Sequence, residues 1–498
     1  MNGSQPRNHR GDNQALLDSI TLLYLAVPAL LFSTWLKPIF AIPVALLYCY
    51  GAWQTLGNMR WSCGKTSKLG LAALFVVAMV WTSLSGIGHW FYANSDWIFR
   101  DALLRDLTFT AWPPAYPSAS ASPLILRAPV GYYLPAALIG SICGLKTAEV
   151  ALYLWTSLGF FLVLCGAISL FEKTAQRVLA VLLMLGFGGL DFLGYALIHA
   201  SLPGLGQHIE WWAAFAQYSS NSTLFFWVPN YAIPAWLCTL IILRHWRSPQ
   251  LAKLTPLLGS SILIWSPFAA LGTAPFFLVG INWKNDIRAV ISPKTALPIA
   301  LLTLVCLRYL TMGSTHIPGG WIFPDDGRNI RPLSTLYLAF CLLEFGLLAI
   351  VLWRLKVFDI RISISVIILA LLPLYKFGYG NDIVMRASIP ALMILALSAV
   401  MPLCRPGPRN WKLALAGILS IGLLGSIQEP VRALTSPRWR PSDITLLEAW
   451  TRYLGIPEPS TYVTHLEQAD MRMILHRPAA VPLADGELSP VGPALRPK

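Results

Sequence analysis

Apolar stretches of about 20 residues recur along almost the whole chain, separated by short polar or charged segments. That length lets an α-helix cross the hydrocarbon core of a bilayer, and the strand alternation typical of membrane β-barrels is missing from the sequence. The pattern predicts an all-α polytopic membrane protein. The predicted spans are 17–35, 38–56, 70–88, 149–171, 178–198, 231–244, 253–265, 267–282, 295–311, 333–353, 359–377, 387–403 and 411–427.

Two apolar segments depart from the standard length. Residues 129–144 are short for a span, and we expect a re-entrant or interfacial helix there. Residues 253–282 predict two short helices that turn at Trp265-Ser266-Pro267. With these segments the bundle should contain about 11–14 transmembrane helices.

Lysines and arginines concentrate in short loops, and such loops usually face the cytoplasm. These loops are 7–10, 60–68, 173–177, 244–253, 284–294, 354–361 and 405–412. The chain then divides into a cytoplasmic tail (1–16), a transmembrane domain (17–427) and an extracytoplasmic C-terminal tail (428–498). The opposite, periplasmic side receives four long loops: the first at 89–148, the second at 199–230, the third at 312–332 and the fourth at 377–386. We expect the bacterial inner (cytoplasmic) membrane, with the N terminus cytoplasmic and the C terminus periplasmic.

Composition agrees with this interpretation. The chain is 56% hydrophobic and 12% charged, whereas about 25% charged residues is usual in soluble domains. The net charge of +14 is explained by the basic loops that set topology, and no nucleic-acid-binding module is present. Membrane lipid is therefore the expected partner, and nucleic acid is not.

The first outer loop contains the densest charge cluster of the first 150 residues, in the sequence "NSDWIFRDALLRDLTF". Ser95 or Asp96 can cap a helix over 97–108. Asp101 and Arg105 have the i, i+4 spacing of a structural ion pair. Asp96 then offers the most accessible carboxylate, and Asp106 is intermediate between Asp96 and Asp101. The plain alternative is a capped amphipathic helix resting on the membrane surface.

The other outer loops combine aromatic, amide, acidic and basic side chains on the same side of the membrane. Aromatic rings and amides suit a sugar, fixed cations suit a phosphate, and a carboxylate suits a general base. Candidates for sugar or acceptor binding are Asp191, Glu210, Trp211, Tyr218, Asn221, Asn230 and Asp382. Arg386 begins a span, where it could bind a phosphate at headgroup depth or extend to the interface as a snorkelling arginine. Arg328 could instead form a local surface turn with Asp326.

Asp191 lies inside the apolar run "FGGLDFLGY". An intramembrane carboxylate is costly and usually faces a polar cavity, although a helix–helix hydrogen bond beside the closely packed Gly188 and Gly189 would also explain it. His208 and Glu210 could ligate a divalent metal. They are two residues apart and do not share a helix face, so the metal signal is weak.

This layout resembles the GT-C class of membrane glycosyltransferases, and within it the branch of protein O-mannosyltransferases and aminoarabinose transferases. An acidic loop follows an early span, and "RAPVGYYLPAALIGSICGLKTAEVALYLW" is similar to the Pro- and Tyr-rich re-entry of that branch. "SLFEKTAQR" resembles its span with a basic end, and "SSILIWSPFAALGTAPFFLVG" its broken helical pair. The resemblance covers roughly residues 70–300. The chain differs in having Asp96-Trp97 where relatives have an Asp-Glu pair, and in its two extra N-terminal spans.

The resemblance implies transfer of a sugar from a polyprenyl-phosphate-linked donor to an extracytoplasmic acceptor, which is a glycan, lipopolysaccharide or protein. An aspartate of the first loop would act as base in an inverting displacement. By position this is Asp96, with Asp101 and Asp106 as substitutes. The donor phosphate would be bound by Arg386, Arg328, Lys376 or Arg127. Two alternatives stay open: a transporter or flippase of lipid-linked saccharides, and a glycan polymerase or ligase that uses a pyrophosphate-linked donor. A non-catalytic scaffold would not need four convergent loops.

Overall fold

The structure is a computed structural model that describes residues 9–57, 59, 67–118, 122–323, 330–441, 443–468 and 471–482. Its N-terminal part is helical, with one short pair of strands. The elements are α1 (His9–Phe32), α2 (Pro38–Gly57), α3 (Lys68–Leu84), α4 (Asp96–Phe109), β1 (Pro114–Tyr116), β2 (Leu124–Leu126), α5 (Leu134–Cys143), α6 (Leu145–Ser169), α7 (Thr174–Gly186) and α8 (Asp191–His199).

The central part continues the helical bundle. Its elements are α9 (Asn221–Trp227), α10 (Pro229–Arg244), α11 (Pro249–Leu263), α12 (Pro267–Gly280), α13 (Trp283–Val290), α14 (Ala296–Thr311), β3 (Gly319–Trp321), α15 (Ile330–Cys341), a π-helical segment (Leu342–Gly346) and α16 (Leu347–Arg354). The C-terminal part contains α17 (Ile360–Leu371), β4 (Tyr375–Phe377), α18 (Asp382–Ala387), α19 (Ile389–Ser398), α20 (Val400–Cys404), α21 (Arg409–Ser426), α22 (Gln428–Thr435), α23 (Leu446–Leu454), β5 (Val463–His465) and β6 (Ala479–Ala480).

Eight helical stretches within the described residues are long and apolar enough to cross a membrane. They are Ala15–Trp35, Pro38–Gly57, Leu145–Ser169, Thr174–His199, Ala296–His316, Pro332–Arg354, Asp382–Cys404 and Arg409–Thr435. Shorter apolar helices include α3, α5, α12 and α17. The predicted mostly helical fold is confirmed, and the eight apolar helical stretches are consistent with the predicted multi-pass membrane protein. The described helices give eight full-length candidates, fewer than the 11–14 predicted, because several predicted spans form shorter helices.

The predicted turn between the two short helices at 253–282 is present. Helix α11 ends just before Trp265, and the hydroxyl of Ser266 accepts a hydrogen bond of 3.0 Å from the amide of Ala269. This bond caps α12, whose first residue, Pro267, has no amide hydrogen to satisfy. Trp265 itself is fully buried. The polar turn is therefore a helix boundary inside the bundle.

Two small sheets tie the loops together, and the sequence pattern did not predict them. One has the strand order β5-β2-β1-β6, so it joins the first long loop (89–148) to the C-terminal tail. The other pairs β3 with β4 and joins the third loop to the fourth. Each strand has only two or three residues, too few for a period-2 pattern to stand out. The tail thus packs against the first loop as part of one structure.

Candidate functional site

Helix α4 begins with Asp96, whose carboxylate is the most exposed of the three acidic groups on that helix. Nη2 of Arg100 lies 3.3 Å from Oδ2 of Asp96, at i, i+4 spacing, and 39% of the Asp96 side chain is exposed. The predicted pair of Asp101 with Arg105 is wrong. Asp101 instead contacts His89 at 2.8 Å, and Arg105 contacts Asp443 at 2.6 Å. Partners from elsewhere in the chain compete successfully with the local spacing.

The start of α4 is fixed by Asn94. Its Oδ1 accepts a hydrogen bond of 3.0 Å from the amide of Asp96, and its Nδ2 donates to the carbonyl of Phe226 at 2.8 Å. Nε1 of Trp97 donates to the same carbonyl at 3.1 Å. The carbonyl of Phe226 in helix α9 therefore fixes the residues on both sides of Asp96. The cap that was predicted for Ser95 or Asp96 comes from the side chain of Asn94.

Arg100 is the centre of the site. Its Nη1 donates to Oδ1 of Asn230 at 2.7 Å and to the hydroxyl of Tyr133 at 3.1 Å. The residue is 6% exposed, and its Nε has no hydrogen-bond partner among the described residues. Burial alone would lower the pKa of Arg100, but Tyr133 and Asp96 raise it overall. The guanidinium thus stays charged with one donor unused.

Helix α18 brings a second aspartate–arginine pair to the same place. Nη2 of Arg386 lies 2.7 Å from Oδ1 of Asp382, again at i, i+4 spacing. The guanidinium lies over the ring of Tyr231, 4.0 Å from its centroid, which is cation–π geometry. Nε of Arg386 is buried and, within the described part of the chain, lacks a hydrogen-bond partner. The charges of Arg386 and Arg100 are close enough to repel each other.

The C-terminal tail completes the site. The phenol of Tyr462 interacts electrostatically with Arg100, Arg386 and Tyr231, and its ring lies 5.4 Å from that of Trp450. Burial raises the pKa of Tyr462 far above its usual value, so the hydroxyl stays protonated and can donate a hydrogen bond. We call this cluster the two-arginine site. It consists of Asp96, Arg100, Tyr133, Asn230, Tyr231, Asp382, Arg386 and Tyr462.

Four of the residues predicted from sequence therefore meet here, namely Asp96, Asn230, Asp382 and Arg386. Sequence reasoning missed Arg100, Tyr133, Tyr231 and Tyr462. The i, i+4 spacing from Asp96 to Arg100, and the position of Tyr231 directly after Asn230, were the available signals. Tyr462 had none, because it lies more than 330 residues from Arg100 along the chain.

The other two acidic residues of α4 have structural partners. Asp101 binds His89, as described above. Asp106 is fully buried, and its Oδ2 accepts hydrogen bonds from the hydroxyl of Tyr116 at 3.0 Å and from the amide of Leu446 at 2.9 Å. Burial raises the pKa of Asp106 to about 7, although these bonds and Arg105 oppose the shift. Asp101 is close enough to Tyr133 to interact with it electrostatically, but Asp96 is the carboxylate of α4 that pairs directly with Arg100.

The remaining phosphate candidates lie elsewhere. Arg127 is buried and donates to the backbone carbonyls of Leu310, at 3.0 Å, and of Ser460, so its guanidinium serves to hold the tail. Lys376 is an exposed residue of β4. Arg328 lies outside the described residues. Among the three predicted cations that the structure describes, only Arg386 lies in the two-arginine site.

Most second-loop candidates have structural roles. The hydroxyl of Tyr218 donates to the carbonyl of Leu369, and the side-chain amide of Asn221 donates to the carbonyl of Leu183 at 2.9 Å. Glu210 is buried and accepts hydrogen bonds from Gln217 at 3.0 Å and from Thr223 at 2.6 Å. Trp211 is half-buried. These residues shape the loop that delivers Asn230 to the site.

The weak metal prediction gains no support from the described residues. His208 lies 3.3 Å from Glu429 and does not contact Glu210 directly. The oxygens of Glu210 accept hydrogen bonds from three donors of the second loop, which include the amide of Ser220. No group of three or more His, Cys, Asp or Glu side chains suited to a metal ion occurs in the described part of the chain. Two ion pairs and three tyrosines make the two-arginine site suited to a polar, anionic ligand instead.

Comparisons of the chain with protein-family models, with curated proteins and with solved structures find no match.

Proposed function

We propose that the protein is a membrane glycosyltransferase that moves a sugar from a polyprenyl-phosphate-linked donor to an acceptor outside the cytoplasm. The observation that carries this proposal is the two-arginine site. There a half-exposed carboxylate, Asp96, pairs with Arg100, and the charge of Arg386 lies close to that of Arg100. Among the described residues, the buried Nε of each guanidinium has no hydrogen-bond partner. The resemblance of the sequence to the GT-C class supports the same proposal.

The first step assigned to the site is binding of the donor phosphate. Arg100 and Arg386 are already neutralised in part by Asp96 and Asp382, so the site has no large excess of positive charge. An arginine with a free Nε can add a hydrogen bond to a phosphate oxygen without breaking its ion pair. A leaving group with a single phosphate, such as a polyprenyl phosphate, therefore fits this site better than a nucleotide, which carries more negative charge.

The chemical step is a displacement at the anomeric carbon. The carboxylate of Asp96 accepts the proton of the acceptor hydroxyl, and the hydroxyl oxygen forms a bond to the anomeric carbon. The bond from that carbon to the phosphate oxygen breaks at the same time. The electron pair stays on the phosphate, whose added charge is stabilised by Arg386 and Arg100. Attack from the side opposite the leaving group inverts the configuration.

Aromatic groups around the site fit a sugar ring. The Arg386 guanidinium covers one face of the Tyr231 ring. Tyr462 lies close to both guanidiniums, and the ring of Trp450 packs against that of Tyr462. Tyr379 extends this wall, with its ring 5.9 Å from Trp450. Such faces pack against the apolar side of a sugar while hydroxyl groups bond its edges. Their number favours a saccharide over a simple lipid phosphate as the group recognised.

The test is donor consumption by the purified full-length protein in lipid vesicles. Polyprenyl phosphates and polyprenyl pyrophosphates that carry radiolabelled sugars would be offered one at a time, with and without a membrane-envelope extract as acceptor source. We expect release of polyprenyl phosphate from at least one donor and label in an acceptor. If only pyrophosphate-linked donors are consumed, the polymerase or ligase alternative is correct. Movement of intact donor across the vesicle membrane without cleavage would establish the flippase alternative.

A further inference from the structure

Two interruptions of helical geometry meet inside the bundle. The span Thr174–His199 is broken between α7 and α8, and Asp191 is the first residue of the second half. The span Pro332–Arg354 contains the π-helical segment Leu342–Gly346, which includes Glu344. The amide of Leu190 donates to the carbonyl of Leu343 at 3.3 Å. Broken spans and π-helical turns in membrane proteins commonly mark ligand sites.

Each interruption places a carboxyl group in the interior. Asp191 is 0% exposed and Glu344 is 2% exposed. Their side chains lie within hydrogen-bond reach of each other. Oε1 of Glu344 accepts a hydrogen bond of 2.8 Å from Nε1 of Trp212. Among the described residues no donor reaches Oε2 of Glu344 or either oxygen of Asp191.

A glycine allows this approach. A Cβ atom on Gly189 would lie 2.0 Å from Oε2 of Glu344, so no larger residue fits at that position without displacing the carboxyl group. Gly188 lies next to the backbone of Gly422 in the same way. The "FGGLD" sequence thus seats Glu344 against the break in the helix, beside Asp191.

Several backbone carbonyls beside the break are already used as hydrogen-bond acceptors, which leaves fewer oxygens for a metal ion. Those of Leu183 and Phe187 accept from Asn221, and that of Leu185 accepts from Ser222. A sodium ion would take several such carbonyls from an unwound helix. Three of the four oxygens of these two carboxyl groups have no donor among the described residues, and a proton on one group would let it donate to the other.

We propose that Asp191 and Glu344 form a proton-binding site within the membrane, in which one proton is held between the two carboxyl groups. Two ionised carboxylates at this position would repel each other, and three of their four oxygens would lack a donor among the described residues. With the proton in place, the acid group donates to the carboxylate, and Trp212 supplies the second donor. The proposal does not depend on the glycosyl transfer proposed above.

Other charged groups set the field around this pair. Glu210 and His208 face it from the second loop, and Cys341 faces Glu344 from α15. Glu429 on α22 contacts His208 at 3.3 Å and Arg432 of the same helix at 3.0 Å. The negative charge of Glu210 strengthens retention of the proton, whereas His208 opposes that effect.

Release of the proton should loosen the second loop. The ring of Trp212 packs where a side chain on Gly194 of α8 would be, 2.4 Å from a Cβ placed there, and its indole also bonds Glu344. Repulsion between the carboxylates would therefore separate α8 from the π-helical segment and withdraw the anchor of Trp212. The site couples proton occupancy to the loop that leads into α9 and α10.

Infrared spectroscopy of the full-length protein in lipid membranes tests the proposal. We expect a carbonyl band of a protonated carboxylic acid that shifts in D₂O. It should be lost in both Asp191→Asn and Glu344→Gln and kept in Asp286→Asn, a control on helix α13. The band should decrease as the pH is raised. Three results would each overturn the proposal: an unchanged band in both variants, a band that persists in strong alkali, or a band that sodium chloride removes at constant pH.

Discussion

Nη1 of Arg100 donates a 2.7 Å hydrogen bond to Oδ1 of Asn230, and this contact joins the first helix of the first loop to the start of α10. The same arginine holds Asp96 through Nη2. Any force that moves α10 relative to α4 therefore moves the carboxylate relative to Arg386, because Tyr231 follows Asn230 and carries the Arg386 guanidinium on its ring. One buried arginine sets the spacing of the whole site.

Replacing Asp96 by asparagine should abolish most of the transfer activity. Asparagine can keep a hydrogen bond to Arg100, but it cannot accept the proton of the acceptor hydroxyl. Loss of a general base lowers turnover about 10²- to 10⁴-fold. The measurement is the initial rate of label transfer at saturating donor, with the unfolding temperature recorded in parallel.

Asp286→Asn on helix α13 is the matched control for that variant, because it makes the same chemical change away from the two-arginine site. It should transfer at the wild-type rate. Wild-type turnover by Asp96→Asn would remove Asp96 from the mechanism. If Asp101→Asn alone lost activity, the base would be Asp101.

Arg386→Lys should weaken donor binding more than acceptor binding. Lysine keeps the positive charge, but it loses the planar group that stacks on Tyr231 and pairs with Asp382. We expect the apparent KM for donor to rise by about tenfold, equivalent to about 1.4 kcal/mol, with the acceptor KM nearly unchanged. Arg288→Lys on helix α13 is the control. An unchanged donor KM would show that the leaving phosphate binds elsewhere.

The bundle was largely predictable because apolar length is a property of consecutive residues. Helix α6 and the pair α11 and α12 with its turn at Ser266 lie close to where the pattern places them. The break at Asp191 was not predicted. The sequence there is continuously apolar, and only packing of Gly188 and Gly189 against other helices interrupts it.

The site was predictable in part, for a similar reason. Asp96, Asn230 and Arg386 were identified because polar groups at the ends of apolar runs are conspicuous. Two i, i+4 pairs were available on α4, and spacing alone cannot choose between Asp96–Arg100 and Asp101–Arg105. The choice depends on His89 and Asp443, which come from outside the helix. Tertiary contacts therefore decided which aspartate remained available.

The pair of His89 and Asp101 should make stability depend on pH. Burial lowers the pKa of His89, but Asp101 at 2.8 Å and nearby Glu149 raise it overall. The stabilisation is therefore fully present below about pH 6.5 and is lost as the pH rises through the raised value in the folded state. Asp101→Asn should lower the unfolding temperature most in mild acid and least in alkali. The same difference at every pH would contradict this expectation.

Asp106 should also make stability depend on pH, because it is an acid whose pKa is raised to about 7 in the folded protein. An unfolded aspartate titrates near about 3.9, so between these values the folded state binds more protons. That part of the stability is present in acid and is lost as the pH rises to about 7. Asp106→Asn cannot ionise, so its deficit against wild type should shrink over this range. Parallel unfolding curves for the two proteins would show that Asp106 is ionised throughout.

Gly189→Ala should destabilise the protein through the contact with Glu344. The added Cβ would lie 2.0 Å from Oε2 of that residue, so the carboxyl group or the backbone at the helix break must move. Overpacking of this kind costs about 1–3 kcal/mol. Gly417→Ala on helix α21 is a matched control, because a Cβ there meets no atom within 4 Å. Thermal unfolding in lipid or detergent measures both variants. We expect a clearly lower unfolding temperature for Gly189→Ala and little change for Gly417→Ala. Equal behaviour of the two variants would mean that the carboxyl group of Glu344 is free to turn away from the break, and the close packing at Asp191 would then carry no constraint.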